Sequence, residues 1–329
     1  MNELSGRFAM DGIVKQLVRP VPPAQVTRVD LFVGSEHRTL EMSRPTSFDE
    51  LVLLSRPSQS VRSGDFGGRL GFARRLFSLA GRTIDLDCFF DTRFGGPNNI
   101  SHLLIDIVPL CLLARQAVPD VKFVFRPMAP HFRDLLGFFG IDPLCTDRPV
   151  RGRGLEFFLT RQLALFSMGC AFGSPVTTLT GEVYRDYFRK PAGPRKLFIS
   201  RRGPRSLANE ADVLAMLAPE GFQIFYPEDH SIPDQIAAIQ AADQVVTIHG
   251  AAMAFLALKE RTEKVIELLP PHVYHDFFPL ALGGKVERYF QLLPVFDEQV
   301  QFGGWPEVLK RKQERFAADL GQLRAAIAA

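Results

Sequence analysis

No Cys-x-x-Cys pair occurs in this sequence. Its four cysteines, Cys88, Cys111, Cys145 and Cys170, stand far apart, which fits reduced core thiols in a cytosolic protein rather than a disulfide or zinc scaffold. An excess of one charge is also missing. Lys and Arg number 39 against 36 Asp and Glu, a balance of +3, so wholesale nucleic-acid binding is not expected. The opening residues, Met-Asn-Glu-Leu-Ser-Gly, lack a basic segment followed by an apolar one, and no signal peptide is expected. Long apolar runs are interrupted. Residues 103–114 carry Asp106 and Pro109, and residues 155–173 carry Glu156 and Arg161, so neither reads as a membrane span. HExxH, a Walker A loop, GxGxxG, internal repeats and low-complexity tracts are all absent. The missing Gly-rich fingerprint counts against a nucleotide-dependent oxidoreductase.

What is present is a well-mixed globular chain. It has 329 residues, 46% apolar and 23% charged, enough for a buried core and two domains. The stretch from Asp243 to Ala254 organises it. A β-branched run ends in His249-Gly250, and small residues, Ala251 and Ala252, begin a helical pattern. This reads as a buried strand, a tight turn and a helix start. Gly250 is expected to adopt an unusual backbone angle and admit a ligand, and the helix start to bind an anion. Strands are expected at 196–200, 222–226, 244–248, 264–269 and 288–293, with helices at 209–217 and 232–242. That alternation predicts a parallel sheet covered on both faces. In the first half, a strand at 83–90, a helix at 101–116, a strand at 121–125 and a helix at 129–139 are expected. Residues 1–80 are hard to parse. A linker is expected near 189–194, and a long C-terminal helix from 306.

Several residues have the chemistry of a site. Arg201, Arg202 and Arg205 follow a strand end and precede a helix, where arginines hold a diphosphate; a solvated basic loop has the same spacing. His249 fits a ligand contact or a structural hydrogen-bonder. Glu267, at the end of the next strand, fits a ribose-binding acid or an exposed carboxylate. His102 and Asp106 lie four apart and share a helix face. A histidine oriented by a carboxylate is a sound general base; the pair also fits a role in fixing the helix. Asp85 and Asp87 have a metal-chelating look, but the triplet is short and common. His272 and His275 lack a convincing third ligand.

Ordered pieces of the chain resemble glycosyltransferase family 61, in the manner of a bacterial capsular or exopolysaccharide member. Asn99-Ile-Ser101-His102 with Asp106 resembles an Asn-x-x-His segment. Ile199-Ser200-Arg201 with Arg205-Ser-Leu-Ala-Asn209-Glu210 resembles an Ile-Ser-Arg and Arg-x-Leu-x-Asn-Glu pair. His249-Gly250-Ala251 matches a His-Gly-Ala signature, and Val265-Ile-Glu267-Leu-Leu-Pro270 is similar to a closing Ile-Glu-Leu segment. Where the family often has Gly-Leu-Thr-Asn after the signature, this chain has Ala252-Met-Ala-Phe255.

The resemblance implies an α/β, GT-B-like fold, two Rossmann-like domains facing a cleft. The expected domains are 1–180 on the acceptor side, 181–305 binding the nucleotide sugar, and a helix over 306–329 packing back on the first. It implies an inverting, metal-independent transfer from a UDP-linked donor to a glycan or lipid-linked glycan in polysaccharide biosynthesis, with no cofactor and no nucleic acid. Arg201, Arg205, His249, Gly250, Ala251 and Glu267 would hold the nucleotide. His102, supported by Asp106, would be the base. A cytoplasmic location, with peripheral association at the inner face of the membrane, is expected. The alternatives are a degenerate, non-catalytic glycan- or nucleotide-binding module and a nucleotide-dependent oxidoreductase.

Overall fold

The computed structural model describes residues 14–20, 27–33, 36–42, 50–60, 82–93, 98–159, 164–166, 183–270, 277–282, 284–294 and 314–329. The chain is mixed α/β and divides into two compact units. Unit 1 is Met1–Pro23 with Pro45–Leu179, and unit 2 is Ala24–Arg44 with Thr180–Ala329.

Unit 1 is built on one sheet. Its strands are β1 (Val14–Pro20), β4 (Glu50–Ser60), β5 (Ile84–Asp91), β6 (Lys122–Phe125), β7 (Pro143–Cys145), β8 (Val150–Leu159) and β9 (Ala164–Phe166). They run in the order β1-β4-β8-β5-β6-β7, with β9 on β8. The part β8-β5-β6-β7 is parallel, whereas β1, β4 and β9 join by antiparallel pairs. β4 lies within residues 1–80, the part that is hard to parse from the sequence. Its Pro57 lies beyond the last residue paired with β1, where a missing N–H costs no ladder bond on that side.

Helix α1 spans Ile100–Ala117 and α2 spans Pro130–Phe138. The first is long and apolar enough to cross a membrane. Here Leu103–Ala114 are buried in the core of the unit, with Asp106 and Pro109 accommodated in that run. A π-helical turn at Leu103–Ile107 interrupts it, a distortion frequent at functional sites.

β5 has an irregular register between Leu86 and Cys88 against β8. Gly152 of β8 lies there with φ +156°, and a Cβ on it would sit 1.7 Å from the Leu86 carbonyl oxygen. That contact is with backbone, which cannot rotate away. Gly152→Ala is therefore expected to lower the unfolding free energy by about 3 kcal/mol. Urea unfolding checks this; a loss below about 0.5 kcal/mol means the strand pair relaxes freely.

Unit 2 carries β2 (Thr27–Val33), β3 (Glu36–Met42), β10 (Lys196–Ile199), β11 (Gln223–Phe225), β12 (Gln244–Ile248), β13 (Thr262–Leu268) and β14 (Val286–Leu293). The order is β11-β10-β12-β13-β14-β2-β3. All neighbours are parallel except the β2–β3 hairpin. The helices are α3 (Glu210–Leu217), α4 (Ile232–Ala241), α5 (Phe277–Ala281) and α6 (Leu320–Ala328).

Two boundaries differ from the sequence expectation. Ala24–Arg44 belongs to unit 2 rather than to the first domain, because β2 continues the parallel sheet beside β14 and buries Val29 and Leu31. Of the long helix expected from 306, residues 314–319 are not helical; the helix starts after its cap Asp319, spans Leu320–Ala328 and packs on unit 2 rather than returning to the first domain. Leu323 and Ala326 join a core with Phe198, Ile266 and Phe290. Lys264 Nζ donates to the carbonyls of Ala326 and Ile327, where a cation suits the negative end of a helix. Asn209 stands at the N-cap of α3 but makes no side-chain cap bond there. Its amide instead exchanges hydrogen bonds with Ala318, at 2.9 and 3.0 Å, and ties this C-terminal segment down.

Buried Lys259 closes α4 in the same way, donating to the carbonyls of Ile239, Gln240 and Ala242. Burial, with the like charges of Arg195 and Lys190, brings it down to about 8.

Candidate functional site

In unit 2, β10 is flanked by β11 on one side and β12 on the other. The chain thus leaves β10 toward one edge of the sheet and later returns to the other. Parallel sheets bind ligands at such a point, beyond the carboxyl ends of the two strands. Ile199 of β10 lies opposite Thr247 of β12, so the strands end nearly level. Ser200–Arg205 follow one strand, and His249 and Gly250 follow the other.

Arg201 and Arg205 converge there. Both are only partly exposed, and the Nε of each is buried without a hydrogen-bond partner. Arg205 Nη1 donates to the His249 carbonyl at 3.3 Å. Burial, reinforced by the neighbouring Arg201 charge, brings Arg205 down to about 10. Burial also lowers Arg201, while the Glu228 carboxylate opposes that shift. Arg205 holds a left-handed backbone, φ 62°, which is costly for a residue with a Cβ. Two half-buried like charges on a strained loop oppose folding on their own and favour an anion that contacts both.

The third arginine is used differently. Arg202 is exposed, pairs with Asp229 at 2.6 Å and lies over the Tyr226 ring, 4.0 Å from its centre. Tyr226 in turn donates to Glu210 Oε2 at 3.0 Å, and Ser200 Oγ donates to Glu210 Oε1. Glu210 thereby fastens the ends of β10 and β11 to the start of α3.

Gly250 leaves room for Arg201 rather than supplying an unusual backbone angle. Its φ is −178°, extended backbone open to any residue. A Cβ there would lie 3.3 Å from Arg201 Nη1. The element after it, Ala251–Leu258, is a 3-10 helix rather than the expected α-helix. Ala251 is half-buried at its start, and Met253–Leu258 are buried. Of the departure at Ala252-Met-Ala-Phe255 from the family's segment, Ala252 is half-buried and Met253–Phe255 fall in the core.

Glu267 is placed where a ribose cannot reach it. It is fully buried. Its Oε1 lies 2.6 Å from His249 Nδ1, and its Oε2 accepts from Tyr289 at 2.8 Å and Gln291 at 2.9 Å. The expected ribose contact is corrected: with both oxygens engaged and no accessible surface, Glu267 orients His249. His249 is itself mostly buried, edge-on to Phe278 at 5.5 Å. Neither Tyr289 nor Gln291 was singled out from the sequence. Their alternation on β14 beside Glu267 on β13 is a pairing that only the sheet register reveals.

In unit 1, β5 occupies the corresponding position between β8 and β6. The chain beyond it leads to α1. Asn99 caps this helix, its Oδ1 accepting from Ser101 N at 2.9 Å. One turn in, His102 Nδ1 meets Asp106 Oδ2 at 2.9 Å, and both side chains keep slight exposure. Asp106 Oδ1 is buried without a partner. Arg93, fully buried and also unforeseen, pairs with Asp91 at 2.7 Å and donates to the Arg148 carbonyl at 2.7 Å. It anchors the chain just past the end of β5.

Asp85 and Asp87 lie toward the other end of β5, both exposed, with Asp85 paired to Arg151 at 2.7 Å. No group of three metal-capable side chains occurs among the described residues. His272 and His275 lie outside the described residues. Ser231 caps α4, accepting from Asp234 N at 3.3 Å. Gln235 ties the preceding loop through the carbonyls of Pro227 and His230.

The family model described as Glycosyltransferase 61 matches residues 100–266. That span includes His102 and Asp106 in unit 1 and Arg201, Arg205 and His249 in unit 2. No curated protein matches the chain. Among solved structures it is similar to a dodecameric iron-containing heptosyltransferase, TibC, in complex with ADP-D-beta-D-heptose. The identity is 11%, covering 91% of this chain and 86% of that one, with a TM-score of 0.36.

Proposed function

Because the chain belongs to glycosyltransferase family 61 and is a glycosyltransferase, we propose that it moves a sugar from a UDP-linked donor to a hydroxyl of a glycan or lipid-linked glycan, with inversion. The acceptor oxygen attacks the anomeric carbon on the face opposite the diphosphate. The bond from that carbon to the diphosphate oxygen breaks, and its electron pair leaves with the diphosphate. The acceptor proton passes to the imidazole of His102, whose Nδ1 faces Asp106. In this reading unit 2 holds the donor and His102 of unit 1 is the base. Polysaccharide biosynthesis at the inner face of the membrane is the setting that fits this chemistry.

The observation that carries this reading is the pair of half-buried guanidiniums, Arg201 and Arg205, with partnerless Nε atoms at the carboxyl end of β10. A departing diphosphate develops negative charge, and fixed cations in a poorly solvated place stabilise it strongly. They supply the charge that a metal supplies in other transferases, so the proposed transfer needs no metal. His249, held by Glu267, and Gly250, which admits Arg201, complete the diphosphate side.

Isothermal calorimetry of the chain with UDP, GDP, CMP and NAD, all in EDTA, tests this. Binding of one nucleoside diphosphate, UDP foremost, is the expected result. Binding of NAD alone overturns it in favour of an oxidoreductase. Binding of none favours a degenerate module.

A further inference from the structure

With Glu267 buried, the donor's ribose needs another partner, and unit 2 offers one at a defined place. In parallel sheets that bind dinucleotides, the turn after the first strand takes the phosphates. An acid just past the end of the second strand takes the ribose hydroxyls. Here β10 is the first strand, α3 the crossover and β11 the second strand, paired directly beside β10 through Leu197–Ile199 and Gln223–Phe225. The Ser200 N–H donates to the Phe225 carbonyl at 2.9 Å, so the two strands leave the sheet together. The chain past β11 reads Tyr226-Pro227-Glu228-Asp229.

The two acids there are not equivalent. Asp229 is committed to Arg202, with both oxygens accepting from that guanidinium. Glu228 is exposed, and its Oε1 accepts only a longer bond, 3.2 Å, from the Arg202 backbone N–H. That bond places the carboxylate against the loop that bears Arg201. The Glu228 charge is also felt at the Arg201 guanidinium. A ribose is joined to the diphosphate by a single methylene, so an acid beside the phosphate-binding loop is within reach of its hydroxyls.

We infer that Glu228 is the ribose-recognition residue of this transferase, accepting hydrogen bonds from the 2′- and 3′-hydroxyls of the donor nucleotide. The inference rests on the proposed diphosphate site at Arg201 and Arg205. Glu228 sets specificity for the nucleoside part and carries no step of the transfer. A carboxylate there also repels phosphate, so it discriminates against free pyrophosphate while selecting a nucleotide that offers hydroxyls.

The test is calorimetry of the full chain and Glu228→Ala with three probes: UDP, 2′,3′-dideoxy-UDP and inorganic pyrophosphate. Hydrogen bonds from two hydroxyls to a carboxylate predict that the wild type binds UDP about tenfold tighter than the dideoxy form. In Glu228→Ala that ratio is expected to fall to about one, while pyrophosphate binds as well as or tighter than to the wild type, because a repelling charge is gone. A ratio retained in the variant, or absent from the wild type, overturns the assignment and leaves the diphosphate site standing. If neither UDP nor pyrophosphate binds the wild type, the diphosphate site itself fails and the assignment with it. Because Glu228 is exposed, the variant is expected to fold, and an unchanged melting temperature confirms that.

Discussion

Arg201→Ala is expected to weaken UDP binding about 30- to 100-fold while leaving the unliganded protein as stable as before, or more stable. The two halves of that result have one cause. Arg201 is half-buried, its Nε has no partner, and Arg205 adds a like charge beside it. Without an anion, the guanidinium carries a desolvation cost and repulsion from Arg205 that the Glu228 carboxylate offsets only in part, so its removal relieves the fold. With a diphosphate present, it makes charge-assisted hydrogen bonds worth about 2–3 kcal/mol, which gives the stated loss in affinity. Calorimetry and a melting curve without ligand check both halves. A variant that melts lower and binds UDP normally makes Arg201 a structural residue and removes it from the site. Arg205→Ala should weaken binding in the same direction. Its effect on stability is less clean, because Nη1 also holds the His249 carbonyl.

His102→Ala is expected to lower kcat about 1,000-fold, the middle of the range for a lost general base, with the UDP dissociation constant unchanged within about twofold. His102 belongs to unit 1 and the arginines belong to unit 2. Asp106→Asn, which keeps the shape and removes the charge facing Nδ1, is expected to give an intermediate loss and to alter the pH–rate profile. Single-turnover kinetics with saturating donor separate chemistry from binding. A kcat within about threefold of the wild type in His102→Ala excludes it as the base. In that case the His102–Asp106 contact serves only to stiffen the π-helical turn of α1.

These two residues also show why legibility differed along the chain. His102 and Asp106 are local: their four-residue spacing on a helix brings them together whatever the helix packs against. The Arg201–Arg205 loop and His249-Gly250 are semi-local. Each follows an apolar β-branched run, and a strand end before a helix pattern is readable from periodicity alone. Glu267 was misread because its place at a strand end is equally compatible with facing solvent. The neighbours on β14, Tyr289 and Gln291, decided otherwise. Glu228 was passed over because exposure and proximity to Arg201 depend on β11 lying beside β10.

The sequence by itself determined the alternation of strands and helices, the positions of the βα turns, the His102–Asp106 pair and the basic loop after β10. All of these follow from interactions within a few residues, where periodicity and capping act. Tertiary structure alone decided the rest. It moved Ala24–Arg44 into unit 2, laid the C-terminal helix on unit 2, buried Glu267 behind His249 and left Glu228 open beside the arginines. Each of those outcomes depends on pairing between strands distant in sequence, which no local pattern encodes. The burial that turns a carboxylate from a ligand contact into a support is a property of the assembled sheet.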